Sequence, residues 1–332
     1  MANPGEVQSE PATEQLPTVL ILHPPSCLKF FDNHFSLKFQ ALKPWESPLP
    51  IHQFLAAHGG SVRAVLTSGL SPVGADVLSL LPSVRCLVTS SAGLDHIDLP
   101  ECRRRGVAVA GTGDVYSADV ADMAVGLLID VMRRITASDR YVRGRLWPLN
   151  GDYPLGSKLS GKHVGIVGLG RIGLEVARRL QAFGCTISYC SRKKKQSLPF
   201  PFYSNVCELA AECEILVVCC ALTDQTRRMI SKEALSALGK KGVVVNIARG
   251  AVVDEKELVR CLVQGEIAGA GLDVFEKEPE VPSELFALDN VVLSPHGAMH
   301  TEESFRECFE LICGNFEAFF SNKPLLSQIM DD

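Results

Sequence analysis

Apolar residues along this chain come in short runs that end in small or polar residues, the pattern of parallel strands buried on both faces. Three such runs open it: PTVLILHPP (Pro17 to Pro25), VRAVLTSG (Val62 to Gly69) and VRCLVTSSAG (Val84 to Gly93). Between the last two, SPVGADVLSLLPS has helical spacing, so the stretch up to about Gly111 reads as strands alternating with helical crossovers. From Ser117 the period changes. SADVADMAVGLLIDVMRRI predicts one long helix over 117–136, apolar at Val120, Met123, Ala124, Leu127, Leu128 and Met132, with a basic last turn. A polar loop holding Trp147 follows, and a second strand–helix series opens at Lys162. Its strands are KHVGIV, CTISYC, CEILVVCCAL, GVVVNIARG, IAGAGLDVF and NVVLSPHGA. The amphipathic segment from Thr301, with Phe305, Phe309, Ile312 and Phe316 in register, reads as a final helix.

Composition narrows the class. At ~150 residues per domain, the 332 residues make about two domains. With 38 acidic against 33 basic residues the net charge is −5, which argues against a nucleic-acid partner. No apolar run reaches the ~18 residues of a membrane span. The twelve cysteines include no CxxC pair, and Cys219 and Cys220 lie inside an apolar run, so they read as buried thiols of a reducing compartment. The first sixteen residues hold three Glu and no Lys or Arg, unlike a signal or transit peptide. The expectation is a cytoplasmic protein with residues 1–16 as a disordered leader, and no metal site.

Gly168-Leu169-Gly170-Arg171-Ile172-Gly173 follows the strand VGIV and opens the helical LEVARRLQAF. In that context GxGxxG is a dinucleotide turn. Gly168 makes the bend, Gly170 lets a pyrophosphate approach, and Gly173 packs the helix on the strand. The N–H groups from Leu169 to Ile172 face the phosphates. Eighteen residues beyond Gly173, at the end of CTISYC, stands Ser191. An NAD enzyme presents Asp or Glu there. Serine removes the repulsion of a 2′-phosphate, and Arg192 and Lys193, with Lys194 and Lys195, supply positive charge, so the expected cofactor is NADP(H).

GLGRIG, NIARG (Asn246 to Gly250), GAGLDVFEKEP (Gly269 to Pro279) and LSPHGA (Leu293 to Ala298) stand in the order and spacing of one family. Together with TSSAGLDHID and VADMAVGLLIDVMRR, they make the chain resemble the D-isomer-specific 2-hydroxyacid dehydrogenases over nearly its whole length. SRKKK and CCALT are most similar to the plant-type NADPH-dependent hydroxypyruvate and hydroxyphenylpyruvate reductases of that family. The fold class implied is α/β, with two Rossmann-like or flavodoxin-like parallel-sheet domains and a cleft between them. One domain is 118–297, for the dinucleotide. The other is discontinuous, 17–117 plus 298–332, for the substrate.

The chemistry agrees. Reducing a 2-oxo acid needs a cation for the carboxylate, a proton donor for the carbonyl oxygen and a hydride nearby. Arg249 follows an apolar strand and suits the carboxylate. His296, after VVLSP, suits proton donation, and Glu278 suits holding its imidazole. The resemblance implies these three roles. His300 is the second choice for the histidine. By resemblance Asp273 holds the nicotinamide carboxamide, which leaves Glu278 rather than Glu276 for the imidazole. Thr226, Ile247 and Ala248 join the cofactor residues on the same ground. Ser91, Ala92 and Gly93 offer backbone N–H groups to the substrate carboxylate, as the family uses that loop, and Ser68 lines the same site.

Two departures from the family pattern lie near these residues: Gly297 and Met299 after the histidine, and Ala221 in place of a proline. The expected reaction is NADPH-dependent reduction of hydroxypyruvate or glyoxylate, or of 4-hydroxyphenylpyruvate, to the D-2-hydroxy acid. Alternatives are an NAD-dependent phosphoglycerate-type dehydrogenase and a non-enzymatic dinucleotide-sensing corepressor or scaffold on the same fold. The helix over 117–136 and the Trp147 loop suggest a homodimer.

Overall fold

The computed structural model describes residues 16–330, and the leader expected over residues 1–16 lies, but for Leu16, outside them. The chain divides into two compact units, one running to Gly111 and resuming at Phe309, the other Thr112–Cys308. The sequence reading drew these boundaries at 117/118 and 297/298.

The first unit is a parallel sheet of β1 (Thr18–Ile21), β2 (Gln40–Leu42), β3 (Ala64–Thr67), β4 (Cys86–Thr89) and β5 (Ala108–Ala110), in the order β2-β1-β3-β4-β5. The crossovers carry α1 (Ser26–Ser36), α2 (Ile51–His58), α3 (Ala75–Ser79) and α4 (Leu99–Arg104). The strands β3 and β4 are buried along their whole length, which is why they read as unbroken apolar runs. The sequence reading names β1, β3, β4 and the helix between the last two; the three-residue strands β2 and β5 and the helices α1, α2 and α4 are not among its elements. The helical segment between β3 and β4 is also shorter than its periodicity suggested.

In the second unit the helix expected over 117–136 stops at Arg133. Arg134 adopts a left-handed conformation and the chain turns into a separate helix. These are α5 (Ser117–Arg133) and α6 (Ile135–Arg143), followed by a short α7 (Trp147–Asn150) where a loop was expected. The sheet holds β6 (His163–Val167), β7 (Thr186–Cys190), β8 (Phe202–Tyr203), β9 (Ile215–Val218), β10 (Val243–Asn246), β11 (Gly269–Leu272) and β12 (Val291–Leu293). All pair in parallel, in the order β12-β11-β10-β9-β6-β7-β8. The helices are α8 (Arg171–Ala182), α9 (Val206–Glu212), α10 (Lys232–Leu238) and α11 (Glu255–Val263), and α12 (Glu302–Phe320) leads out of the unit.

Small residues decide how closely α5 lies on this sheet. A Cβ at Gly269 would stand 2.8 Å from Val131 Cγ1, and one at Gly271 3.0 Å from Leu127 Cβ. Filling either position would overpack the layer at a cost of ~1–3 kcal/mol. The apolar face of α5 is thus spent inside its own unit, with Val120, Ala124, Leu127, Leu128 and Val131 buried.

Beyond Phe309 the chain completes the first unit. Phe316 packs edge-on against Phe35 and Phe39, at ring separations of 6.4 and 5.7 Å. Asn315, fully buried, takes the N–H groups of Leu326 and Ser327 on its carbonyl and donates its amide to Leu311 O and Ser327 Oγ. That holds the tail beside β5, where Ile329 donates to Val109 O. All twelve cysteines are free thiols.

Candidate active site

In both sheets, the strand order reverses at one point, and in open α/β sheets ligands bind there, beyond the carboxyl ends of the strands. In the second unit the reversal falls between β6 and β9. Gly168 leaves β6 with φ +95°, and a Cβ on it would be 2.6 Å from the backbone of Cys220, just past β9. A Cβ on Gly173 would be 2.2 Å from Gly168 O. Neither position admits any other residue. Gly170 differs: nothing lies within 4 Å of where its Cβ would be. The fold does not demand glycine there, whereas a pyrophosphate approaching the first turn of α8 does. The turn therefore fits a dinucleotide. Leu169 is buried beneath it, and Arg171 Nε pairs with Asp114 at 2.6 Å on the exposed side.

The next strand ends at the same place, since Gly168 donates to Cys190 O at 2.8 Å. Ser191 follows at once, its hydroxyl donating to Lys193 O at 2.7 Å. The Tyr189 hydroxyl accepts the Lys195 N–H at 2.8 Å, and Arg192 to Lys195 are exposed. Three further sequence candidates are built into the walls. Thr226 donates its hydroxyl to Ala221 O and accepts the Thr223 N–H, both at 2.7 Å, closing the loop after β9. Ile247 and Ala248 are buried at the end of β10, where Asn246 Oδ1 takes the Ala248 N–H and its amide donates to Arg249 O.

Arg249 stands where β10 gives way to a glycine. A Cβ on Gly250 would fall 1.9 Å from the carbonyl carbon of Phe275, so the two loops run in direct backbone contact. This brings Arg249 near the acidic run that follows β11. Within that run the carboxylates divide. Glu276 pairs with Arg228 at 3.1 Å and its N–H donates to Glu255. Glu278 accepts the Phe275 N–H at 3.0 Å and meets His296 Nδ1 at 2.7 Å.

Burial of Glu278 acts to raise its pKa, but the His296 hydrogen bond, the Phe275 N–H and the charges of His296 and Arg249 outweigh it and hold the carboxyl below its ordinary value. The carboxylate is therefore ionised at neutral pH and stays so into mild acid. Its bond occupies Nδ1 of the ring and directs Nε2 away from the partner. The imidazole is 42% exposed, open to an incoming molecule. His300 is placed otherwise, with its ring edge-on to Phe305 and its N–H donating to Gly297 O.

Asp273, 1% exposed, accepts the N–H of Gly297 at 2.8 Å and of Ala298 at 3.1 Å, one on each oxygen. Its carbonyl accepts the His296 N–H at 2.7 Å. These bonds hold His296 in a left-handed conformation, φ +53°, which histidine rarely adopts unaided. The sequence reading missed three supports. Asp119, in the first turn of α5, accepts the hydroxyls of Thr301 and Ser304 and so anchors the segment after His296. Glu255 holds the Glu276 N–H, and Asn246 shapes the Arg249 turn. Only Asn246, the first residue of the NIARG motif, carried a signal.

In the first unit Ser68 follows β3 and is 8% exposed; Ala92 is exposed and Gly93 partly so, beyond β4. Ser91 Oγ accepts the Gly69 N–H at 2.7 Å, joining the two loops.

The family model described as "D-isomer specific 2-hydroxyacid dehydrogenase, NAD binding domain" matches residues 125–298. The chain is 52% identical to a glyoxylate/hydroxypyruvate reductase of Arabidopsis thaliana, over 95% of this chain and 98% of that one. It is 46% identical to the hydroxyphenylpyruvate reductase of Plectranthus scutellarioides, over 94% and 98% respectively. Among solved structures it is similar to an NADPH-dependent glyoxylate/hydroxypyruvate reductase from Sinorhizobium meliloti, crystallised with NADP and malonate. That likeness has a TM-score of 0.87 at 33% identity, covering 94% of this chain and 96% of that one. A glycine turn shaped for a dinucleotide, and an Arg, a Glu and a His in the family's motifs, thus go with similarity along almost the full length: the chain belongs to the D-isomer-specific 2-hydroxyacid dehydrogenases and is an oxidoreductase.

Proposed function

We propose that this enzyme reduces a small 2-oxo acid, hydroxypyruvate or glyoxylate first and 4-hydroxyphenylpyruvate next, to the D-2-hydroxy acid with NADPH. The observation that carries the reading is the 2.7 Å contact of Glu278 with His296 Nδ1, in the same loop cluster as Arg249. Arg249 is the cation for the substrate carboxylate and polarises the adjoining carbonyl. His296 gives the carbonyl oxygen its proton from Nε2, and Glu278 orients the ring and offsets the charge it carries. Ala92 and Gly93 offer backbone N–H groups to the carboxylate, and Ser68 lines the same site. Gly168, Leu169, Gly170, Arg171, Ile172 and Gly173 would hold the pyrophosphate of a nicotinamide dinucleotide, which supplies a hydride when bound. Thr226, Ile247, Ala248 and Asp273 would line the rest of that site.

The choice of NADPH rests on Ser191. No carboxylate stands there to repel a 2′-phosphate, and the exposed Arg192 and Lys193 lie beside it. The names of the relatives, several of them reductases of these oxo acids, support the substrate class. We also place the enzyme in the cytoplasm, and infer a homodimer. The helix expected to form that contact is spent inside its own unit, but Ile135, Val142, Leu146, Trp147, Leu149 and Leu155, all exposed, follow it in one stretch.

Four outcomes follow from this reading. His296→Ala should lower kcat by roughly 10²–10⁴ with the Kd for NADPH unchanged. Glu278→Gln, which keeps an acceptor but loses the charge, should move the alkaline limb of the kcat pH profile to lower pH. A His296→Ala enzyme near wild-type kcat, or a Glu278→Gln limb that stays in place, would contradict these roles. Ser191→Asp should cut kcat/KM for NADPH by about tenfold or more and raise that for NADH relative to it; equal use of both by the wild type would remove the argument from the basic cluster. Sedimentation equilibrium should give twice the 36.0 kDa chain mass, and Trp147→Glu with Leu149→Glu should halve it. A wild-type monomer would refute the dimer.

A further inference from the structure

The basic turn after β7 is shaped from inside the sheet. β7 and β8 pair in parallel, Tyr189 with Phe202 and Cys190 with Tyr203, and residues 191–201 cross from one strand to the other. Arg192, Lys193, Lys194 and Lys195 are exposed along that crossing, four cations in succession. Such a run repels itself and extends unless its backbone is held. Three hydrogen bonds hold it. Ser191 donates its hydroxyl to Lys193 O at 2.7 Å, and Leu198 donates its N–H to Lys195 O at 3.3 Å. Those two are local. The third, from the Lys195 N–H to the Tyr189 hydroxyl at 2.8 Å, ties the turn to the core.

Tyr189 is fully buried, with its ring centred 5.4 Å from that of Phe202 and its N–H donating to Pro201 O. A phenylalanine would fill the same space without bringing a polar atom into it. The hydroxyl therefore answers to the turn and not to the core. Its partner is the N–H of an exposed residue, which water would otherwise satisfy, so the bond sets a shape and does not rescue a buried donor.

We propose that Tyr189 is a specificity-determining residue for the dinucleotide, holding the Ser191–Lys195 backbone in the shape that gathers its cations on a 2′-phosphate. Being buried, it acts through the turn and is a positioning residue. A loop ordered beforehand takes its anion without the entropy cost of ordering on binding. The gain goes to the dinucleotide that carries the 2′-phosphate, whose charge-assisted bonds the cations make. A dinucleotide with a bare 2′-hydroxyl presents no dianion to them and gains nothing. This inference rests on the NADPH reading given above.

The readout is the ratio of the Kd for NADH to the Kd for NADPH, each from a fluorescence titration of the purified full-length enzyme. The wild type should bind NADPH more tightly. Tyr189→Phe should weaken NADPH by about three- to tenfold and leave the Kd for NADH as it was. Lys195→Pro removes the same bond at the surface, by deleting the donor. Measured against Lys195→Ala, which drops the charge but keeps the N–H, it should lower the ratio as far. Tyr189→Phe added to Lys195→Pro should lower it no further. The Lys195 pair decides the matter should Tyr189→Phe fail to fold. A Tyr189→Phe ratio equal to that of the wild type, or both nucleotides weakening together, overturns the proposal and leaves the NADPH reading intact. So does a ratio that is the same in Lys195→Pro and Lys195→Ala. A wild type that binds the two nucleotides equally overturns that reading, and the proposal with it.

Discussion

The candidate site depends on one buried carboxylate. Asp273 ends β11 and spends an oxygen on each of two successive N–H groups beyond His296, while its own carbonyl takes the N–H of His296. Those three bonds fix a backbone conformation that histidine seldom adopts. With the backbone held, the side chain meets Glu278, which is itself pinned by the Phe275 N–H. A polar group buried this deeply is tolerated only when its hydrogen bonds are made. The loop geometry and the buried carboxyl group therefore support each other.

A second constraint is steric. Gly250 lies so close to Phe275 that no side chain fits between the loops after β10 and β11. That contact brings Arg249 close enough for its charge to help keep Glu278 ionised. The glycine turn at Gly168 and Gly173 applies the same principle at the dinucleotide end: absent side chains let backbone meet backbone, and Gly170 leaves space for a ligand. Positions that look merely permissive in the sequence are thus the ones that place the charged groups.

Much of this was legible beforehand. The strands of both sheets are apolar runs because both faces are covered, and periodicity finds such runs easily. The Gly-rich turn announced itself by its spacing between strand and helix, and the motifs around Arg249, Glu278 and His296 by their resemblance to those of the family. Three things did not. The helix over 117–136 breaks at Arg134, because a left-handed residue between two helical patterns leaves no mark in the period. The edge strand β2 buries too little to make a run. Asp119 and Glu255 act through loops far from them in sequence, so only the fold reveals their partners.

The most direct test of the account follows the absorbance of NADPH as the purified enzyme meets hydroxypyruvate, and then resolves the product on a chiral column. Consumption of NADPH with formation of the D-2-hydroxy acid alone is the result expected. No consumption, or a product that is L or racemic, would contradict the assignment of Arg249, Glu278 and His296 to this chemistry.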